Sequence, residues 1–449
     1  MSHTIKLVNS ETTIDLSVSN GYYVTDYVPV NGNGTVTETL QMMISGTSQL
    51  AVEEKIQGIE KLLRLTEQYR SNLQGLQLWL QFQPDGLSNL LQSPVVAGRI
   101  VLDKSTLDYG WGLKKVRISV ILEREAWWET TTDIEVPLTN ANGTSVTGGI
   151  NIANCNDLSG SVPNKRCNYV QITGASIGGN MPARFRLEIT NTYDSSERLA
   201  SIWIGHNLFS VPASFNHIIE GESAISGGTK VSGSYSGGYT INFAIPNDSL
   251  SLLGIWQLSS TLLANAGGRW FKIMAVLSSD ATSEIYVQSR VTFPSGSPLT
   301  VLMQDQEIGL RAGVKYQEIG TLQLPPWLVE ASSIETLDLS LYGRKNGGGN
   351  LYIDYLILMP ADQMRQFRPS GYNIQYTWKL VDDGINKQLY VLTDENKKAS
   401  YIMELGDKLY LEPGRTQRLY FLMSGDTGGV AINRTATVRM YYRQRYATI

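Results

Sequence analysis

"KKVRISVILEREAWWET", residues 114–130, decides how this chain is read. Val116, Ile118, Val120 and Leu122 alternate with Lys115, Arg117, Ser119 and Glu123, the period of two of a strand that buries one face and wets the other. The run closes on Trp127 and Trp128. Adjacent strand residues point to opposite faces, so the two rings cannot both enter one core. The spacing therefore predicts one tryptophan packed in a hydrophobic junction where this domain hands the chain to the next, and the other nearer the rim. Glu123, Arg124 and Glu125 are then expected to form a charged collar that favours one register. Glu123 and Glu125 share a face at about 7 Å, within the range of glycosidase carboxylates. No groove accompanies them, so a solvated rim or an intersubunit salt bridge is the reading.

The neighbouring sequence repeats the pattern. "LQLWLQF", residues 76–82, sets Leu76, Leu78, Leu80 and Phe82 against Gln77, Trp79 and Gln81, and "SPVVAGRIVL", residues 93–102, is a further strand. Between Leu50 and about Tyr69 the period changes. Val52, Ile56, Ile59 and Leu63 fall at i, i+4, i+7 and i+11, which predicts an amphipathic helix, with Thr47 or Ser48 to cap it and Glu53 and Glu54 near its positive end. Residues 1–130 read as a small β-sandwich or barrel with one helix on its face.

Beyond Thr130 the chain is β-like and punctuated by Gly, Asn, Ser and Pro. "PARFRLEITN" (182–191) and "LASIWIG" (199–205) are strands of a sandwich. Near residue 220 the texture shifts to the low-charge "SAISGGTKVSGSYSGGYTINFAIP" (223–246), a boundary. A second sandwich runs through "RWFKIMAVLSS", "SEIYVQSRVTF" and "SIETLDLSLYG" to "NLYIDYLILMP", and strands resume after Pro360 with "RLYFLM" and "TVRMYYRQRY". The fold class is mainly β.

The order of strands, one helix and strands closed by "VRISVILEREAWWE" resembles the tail-tube-like ring domain of bacteriophage distal tail proteins. "GDKLYLEPGRTQRLYFLM" followed by "TATVRMYYRQRY" is similar to the end of the same siphophage tail-component family. The resemblance covers roughly residues 1–220 and 366–449, and the middle looks like a galactose-binding-type jelly roll. It implies three domains: a ring-forming domain at 1–130, a split sandwich at 131–218 plus 366–449, and an inserted jelly roll at 219–365. It also implies a homohexameric ring joining tail tube to tail tip in the virion, assembled in the host cytoplasm, with DNA passing through the lumen without specific binding. A tail tube protein with outer decoration domains, or a carbohydrate-binding minor tail protein or adhesin, fits the same texture.

Composition narrows the alternatives. With 37 basic and 41 acidic residues among 449, a formal charge of -4, there is no global basic field for nucleic acid. Charged residues make up 17%, against roughly 25% in ordinary soluble domains, so the surface is polar but weakly charged and suits protein or sugar contacts. "MSHTIKLVNS" lacks the pattern of a signal peptide and no window approaches a transmembrane length, so neither export by that route nor membrane insertion is expected. Cys155 and Cys167 support neither a zinc site nor a disulfide framework, and two reduced thiols are expected.

No catalytic constellation, metal site or cofactor motif is found, and an enzyme is not expected. His3, His206 and His217 are isolated; a metal or proton site at His206 and His217 is weighed against, and ranks below, ordinary structural histidines. "GRKNGGGN" (343–350) reads as a Gly-rich hairpin turn, and Asp394 and Glu395 as turn residues. For a sugar ligand, ring faces beside polar side chains are the better lead. Trp256, Trp270, Tyr286, Trp327, Tyr342, Tyr352 and Tyr355 fall in the jelly-roll-like section. Of these Trp270 and Tyr286 are expected in the core. Tyr235, Tyr239, Tyr342, Arg344 and Asn346 are the candidate ligand-binding residues.

Overall fold

The computed structural model describes residues 4–25, 27–72, 75–84, 88–102, 114–139, 143, 145–154, 167–193, 198–207, 218–233, 235–258, 268–279, 284–293, 299–309, 315–324, 337–369, 373–399, 402–425 and 434–448. The protein is mainly β, with one long helix. The chain divides into two compact units, the first made of residues 1–134, 178–183 and 443–449, the second of 135–177 and 184–442.

In the first unit the strands are β1 (Thr4–Val8), β2 (Thr13–Asp15), β3 (Tyr22–Val24), β4 (Thr35–Ser45), β5 (Trp79–Gln83), β6 (Leu91–Leu102), β7 (Lys115–Glu125) and β8 (Trp128–Thr130), with helix α1 at Gln49–Asn72. They run in the order β2-β1-β5-β6-β7-β4-β3, and β8 joins β6 to the strand Arg445–Tyr446. β6 serves two sheets. Its first residues pair with β5 and β8, and after a bulge between Val95 and Ala97 it pairs with β7, the bend a bulge provides. Both path-end strands, β2 and β3, are three residues long, which blunts the open edges against chance pairing.

The sequence periods explain this packing. On β7, residues 116, 118, 120, 122 and 124 are buried in strict alternation. On β5, Leu80 and Phe82 are buried while Trp79 and Gln81 are half-buried. Helix α1 lays Val52, Ile59, Leu62 and Leu63 into the same core as Leu40, Met42, Ile118 and Val120. The hydroxyl of Ser48 accepts the Ala51 amide at 3.2 Å and caps the helix start. At the other end the Leu76 amide donates to Leu65 O at 3.1 Å. A Cβ on Gly75 would lie 1.8 Å from that carbonyl oxygen, so only glycine turns the chain there.

Among the described residues the second unit holds four sheets. Two are built by both halves of a split sandwich. In one, Gln417–Gly425 lies between Tyr169–Ile172 and Leu199–Asn207; in the other, Thr435–Tyr442 lies between Ile150–Ala153 and Phe185–Asn191. The other two sheets use strands between Ile218 and Pro360 alone. One is six-stranded, centred on Gly349–Pro360 beside Trp270–Ser279. The other is four-stranded, ordered Ser251–Leu258, Leu337–Arg344, Glu284–Phe293, Leu299–Gly309. Their facing sides share a core that includes Trp256, Phe243, Ile273, Leu339 and Ile353. The far side of the six-stranded sheet is also apolar. Met274, Val276, Tyr355, Ile357 and Met359 pack with Tyr169, Tyr420 and Leu422 of the split sandwich.

Candidate functional site

Arg124 sits on the inward face of β7, where the alternation that carries Val116 to Leu122 puts it. It is completely buried, as is its partner Glu38 of β4. Arg124 Nε donates to Glu38 Oε1 at 2.8 Å, Nη2 donates to the same carboxylate and to Val30 O at 2.8 Å, and Nη1 donates to Glu125 O at 2.7 Å. The Val30 amide adds a bond to Glu38 Oε1 at 2.9 Å. The guanidinium also lies 4.3 Å from the centroid of Trp128, a cation-π contact in a dry setting. Burial first, and the Glu38 charge next, push the nearby Tyr27 hydroxyl far above the usual tyrosine range.

The expected collar is thus corrected at its centre, because Arg124 is an internal ion pair that pins β4 to β7. Glu123 is exposed, and Glu125 is half-buried with Arg70 Nη2 at 4.0 Å. The two tryptophans do face apart. Trp128 is fully buried in the first unit's own core, with its ring 6.1 Å from Phe82. Trp127 is half-buried, and the Arg445 guanidinium covers it at 3.7 Å.

The ligand candidates of the jelly-roll-like section are scattered. Tyr342 and Arg344 share the strand Leu337–Arg344, where Arg344 pairs directly with Tyr286 and stacks on its ring at 4.6 Å. Arg290 covers Tyr342 at 4.2 Å, and its Nε donates to Gln288 Oε1 at 2.6 Å. Tyr239 is exposed but carries Lys230 Nζ at 3.8 Å over its ring. Cations therefore already occupy ring faces that a sugar would use. Tyr235 is half-buried beside Gly233, and Asn346 is exposed in the hairpin turn with Gly347 and Gly348 at positive φ. Trp270 reverses expectation: it is 44% exposed, because it opens its strand rather than lying inside it. Tyr286 is half-buried. His3, His217, Cys155 and Trp327 lie outside the described residues.

His206 is a core histidine, with Nδ1 2.9 Å from Gln363 Oε1 and Nε2 3.0 Å from Gln417 Oε1. Burial holds its pKa below the ordinary histidine value. Cys167 is buried, and its thiol donates to Tyr169 O at 3.1 Å.

Two charged clusters had no sequence signal. In the split sandwich, Arg365 reaches Asp382 of the opposite sheet at 2.7 Å and also Glu404 on the neighbouring strand. They line a small open cleft with Arg184, Phe185, Asp383 and Lys408. Burial raises Asp382 to about 6, against the opposing pull of Arg365. In the six-stranded sheet, Asp354 accepts the Ser236 amide at 2.8 Å and Glu220 accepts the Ser236 hydroxyl at 3.0 Å. Burial, opposed by that amide and reinforced by Glu220 and Glu222, raises Asp354 to about 7. Among the described residues no three His, Cys, Asp or Glu side chains are grouped to hold a metal ion. No described helix is long and apolar enough to cross a membrane.

Scans against protein-family models and against curated proteins find no match. Solved structures give shallow overlaps. A structure of the phage P2 baseplate in its activated conformation with Ca overlaps at TM-score 0.26 and 7% identity, over 77% of this chain and 99% of that one. A structure of infectious bursal disease virus, Gt strain, gives TM-score 0.21 and 8% identity over 71% and 80%. An exo-beta-1,3-galactanase from Phanerochaete chrysosporium with beta-1,3-galactotriose gives TM-score 0.21 and 10% identity over 74% and 84%. Overlaps this shallow carry no functional weight, and the functional reading rests on this chain's own residues.

Proposed function

We propose that this chain is a structural, non-enzymatic protein of a phage tail, a distal ring between tail tube and tail tip in the virion, assembled in the host cytoplasm. Its first unit closes laterally with copies of itself, as a hexamer. Such a ring needs a heterologous interface that closes on itself. The observation that carries this reading is the build of the first unit. The strands, single helix and strands that underlie the resemblance form one compact body, and that body leaves Val18, Val28, Val30, Leu50, Val101 and Leu102 exposed. Apolar side chains at a surface suit a partner's side chains better than water.

DNA passes through the lumen without specific binding in this reading, which the net charge of -4 supports, since phosphate binding by many cations would hold the nucleic acid. The module at 219–365 is an inserted jelly roll, and a host carbohydrate would have to bind it away from the ring faces that Lys230, Arg290 and Arg344 cover. Negative-stain imaging and mass photometry of the purified protein test the assembly. Closed rings are the expected result, and Val28→Asp with Leu102→Asp should leave folded monomers. A protein that stays monomeric at high concentration, with no ring in virions, removes the reading and favours a carbohydrate-binding adhesin.

A further inference from the structure

The first unit is closed by a segment far away in sequence. Residues 443–447 run between β8 and residues 178–181. Arg445 pairs with Glu129 and Tyr446 with Trp128 in antiparallel register. Thr130 and Gln444, 314 positions apart, bond through the Gln444 amide to Thr130 Oγ1 at 3.2 Å and through the Thr130 amide to Gln444 O at 3.0 Å. On the other side the amides of Asn180 and Met181 donate to Arg445 O at 2.9 and 3.3 Å, and the Ala447 amide donates to Asn180 Oδ1 at 2.8 Å. Gly179, at φ +93°, approaches so closely that a Cβ there would sit 2.3 Å from Arg445 O.

The side chains match the groove. Glu129 is a buried carboxylate, with Arg443 Nη1 at 3.1 Å and Arg445 Nε at 3.5 Å. Arg443 Nε also reaches Asp133 at 2.8 Å. The Arg445 guanidinium sits over the Trp127 ring, and Tyr446 packs on the core that holds Trp128. Without the segment, Glu129 keeps, among the described residues, the Gln92 side-chain amide at 3.3 Å, the backbone of β8 loses one ladder partner, and Trp127 loses its cover. A buried carboxylate stripped of both guanidinium groups is strongly unfavourable.

We propose that the groove between β8 and residues 178–181 is an acceptor site for an Arg-x-Arg-Tyr strand, filled by residues 443–447, and that filling it gates assembly. The site recognises two guanidinium groups at alternate positions and an aromatic ring next to the second. Closing a loop of several hundred residues is a late event in folding. The first unit therefore stays unfinished until residues 443–447 are in place, and a chain that lacks them is kept out of a ring. The gating step rests on the ring reading above; the acceptor site does not.

The test compares the parent, a variant ending at Tyr442, and a full-length Arg443→Gln, Arg445→Gln variant by hydrogen exchange and by imaging. Amides of residues 91–93 and 128–130 should lose at least tenfold of their protection in both variants, with no rings formed. A synthetic peptide of residues 443–449 added to the shortened variant should restore both, and the same peptide with both arginines replaced by Gln should restore neither. Parent-like protection in the shortened variant, or equal rescue by the Gln peptide, overturns the acceptor site. Restored protection without rings, in a system where the parent does form rings, overturns the gate alone. Absence of rings from the parent itself strikes the ring reading while rescue of protection upholds the site.

Discussion

Arg124 and Glu38 set the terms at the scale of single residues. Both are buried, so neither is tolerable alone: Glu38→Leu strands a guanidinium and should cost about 3–5 kcal/mol, while Glu38→Leu with Arg124→Met should recover most of that loss. Urea unfolding of the three proteins, followed by tryptophan fluorescence, checks the non-additivity. The tryptophans should also separate. Trp128→Ala should cost about 3–5 kcal/mol, and Trp127→Ala clearly less, since the latter ring is only half-buried. Trp128 Nε1 is buried with no acceptor among the described residues, so Trp128→Phe should be far milder than Trp128→Ala. Equal melting of all three variants would refute this account. Asp354 gives a pH dependence. Its folded pKa of about 7 lies above the ordinary 3.8, so its stabilising contribution is complete below 3.8 and disappears as pH rises through about 7. Asp354→Asn should therefore flatten stability against pH in that window and gain most at pH 8. A pH profile parallel to the parent's would show that the carboxyl is not desolvated as described.

At the scale of elements, helix α1 and the strand Leu199–Asn207 are the informative pair. α1 was legible from its apolar spacing and its cap, because a helix that packs on a flat sheet needs only one stripe. Ser48→Ala should cost about 1 kcal/mol, read as a matched shift in thermal or urea midpoint of the first unit. Leu199–Asn207 reads correctly as a strand, but nothing in "LASIWIG" says why Gly205 is there. A Cβ on Gly205 would meet Met359 Sδ at 2.5 Å and Pro360 O at 2.7 Å, because the strand Gly349–Pro360 crosses close by. Gly205→Val should thus destabilise the second unit by more than the loss of backbone freedom explains, and calorimetry should show that transition alone moving. Trp270 fails at this same scale: apolar composition marked its strand, but its place as the first residue left it exposed.

For the whole molecule, the sheets between Ile218 and Pro360 pair only with one another among the described strands, which motivates excising residues 219–365. Expressed alone, that fragment should fold, with a cooperative melt. Its far face is apolar, however: Met274, Val276, Tyr355, Ile357 and Met359 lose Tyr169, Tyr420 and Leu422. The fragment should self-associate in light scattering, and Val276→Thr with Ile357→Thr should relieve it. A fragment that stays unfolded counts against the module.

By itself the sequence determined the local periods: the strands of the first unit, helix α1, and the mainly β class, because alternation and the 3.6-residue stripe are written in neighbouring residues. It even contained the position of Arg124, which falls on the same parity as Val116 to Leu122. A charged side chain at that parity is buried because a carboxylate on the neighbouring strand, Glu38, meets it there. Only the tertiary structure decided the partners. Glu38 with Arg124, Asp354 with Ser236, and residues 443–447 with β8 join positions far apart in the chain. Such pairings depend on which strands lie side by side, and no local pattern encodes that order.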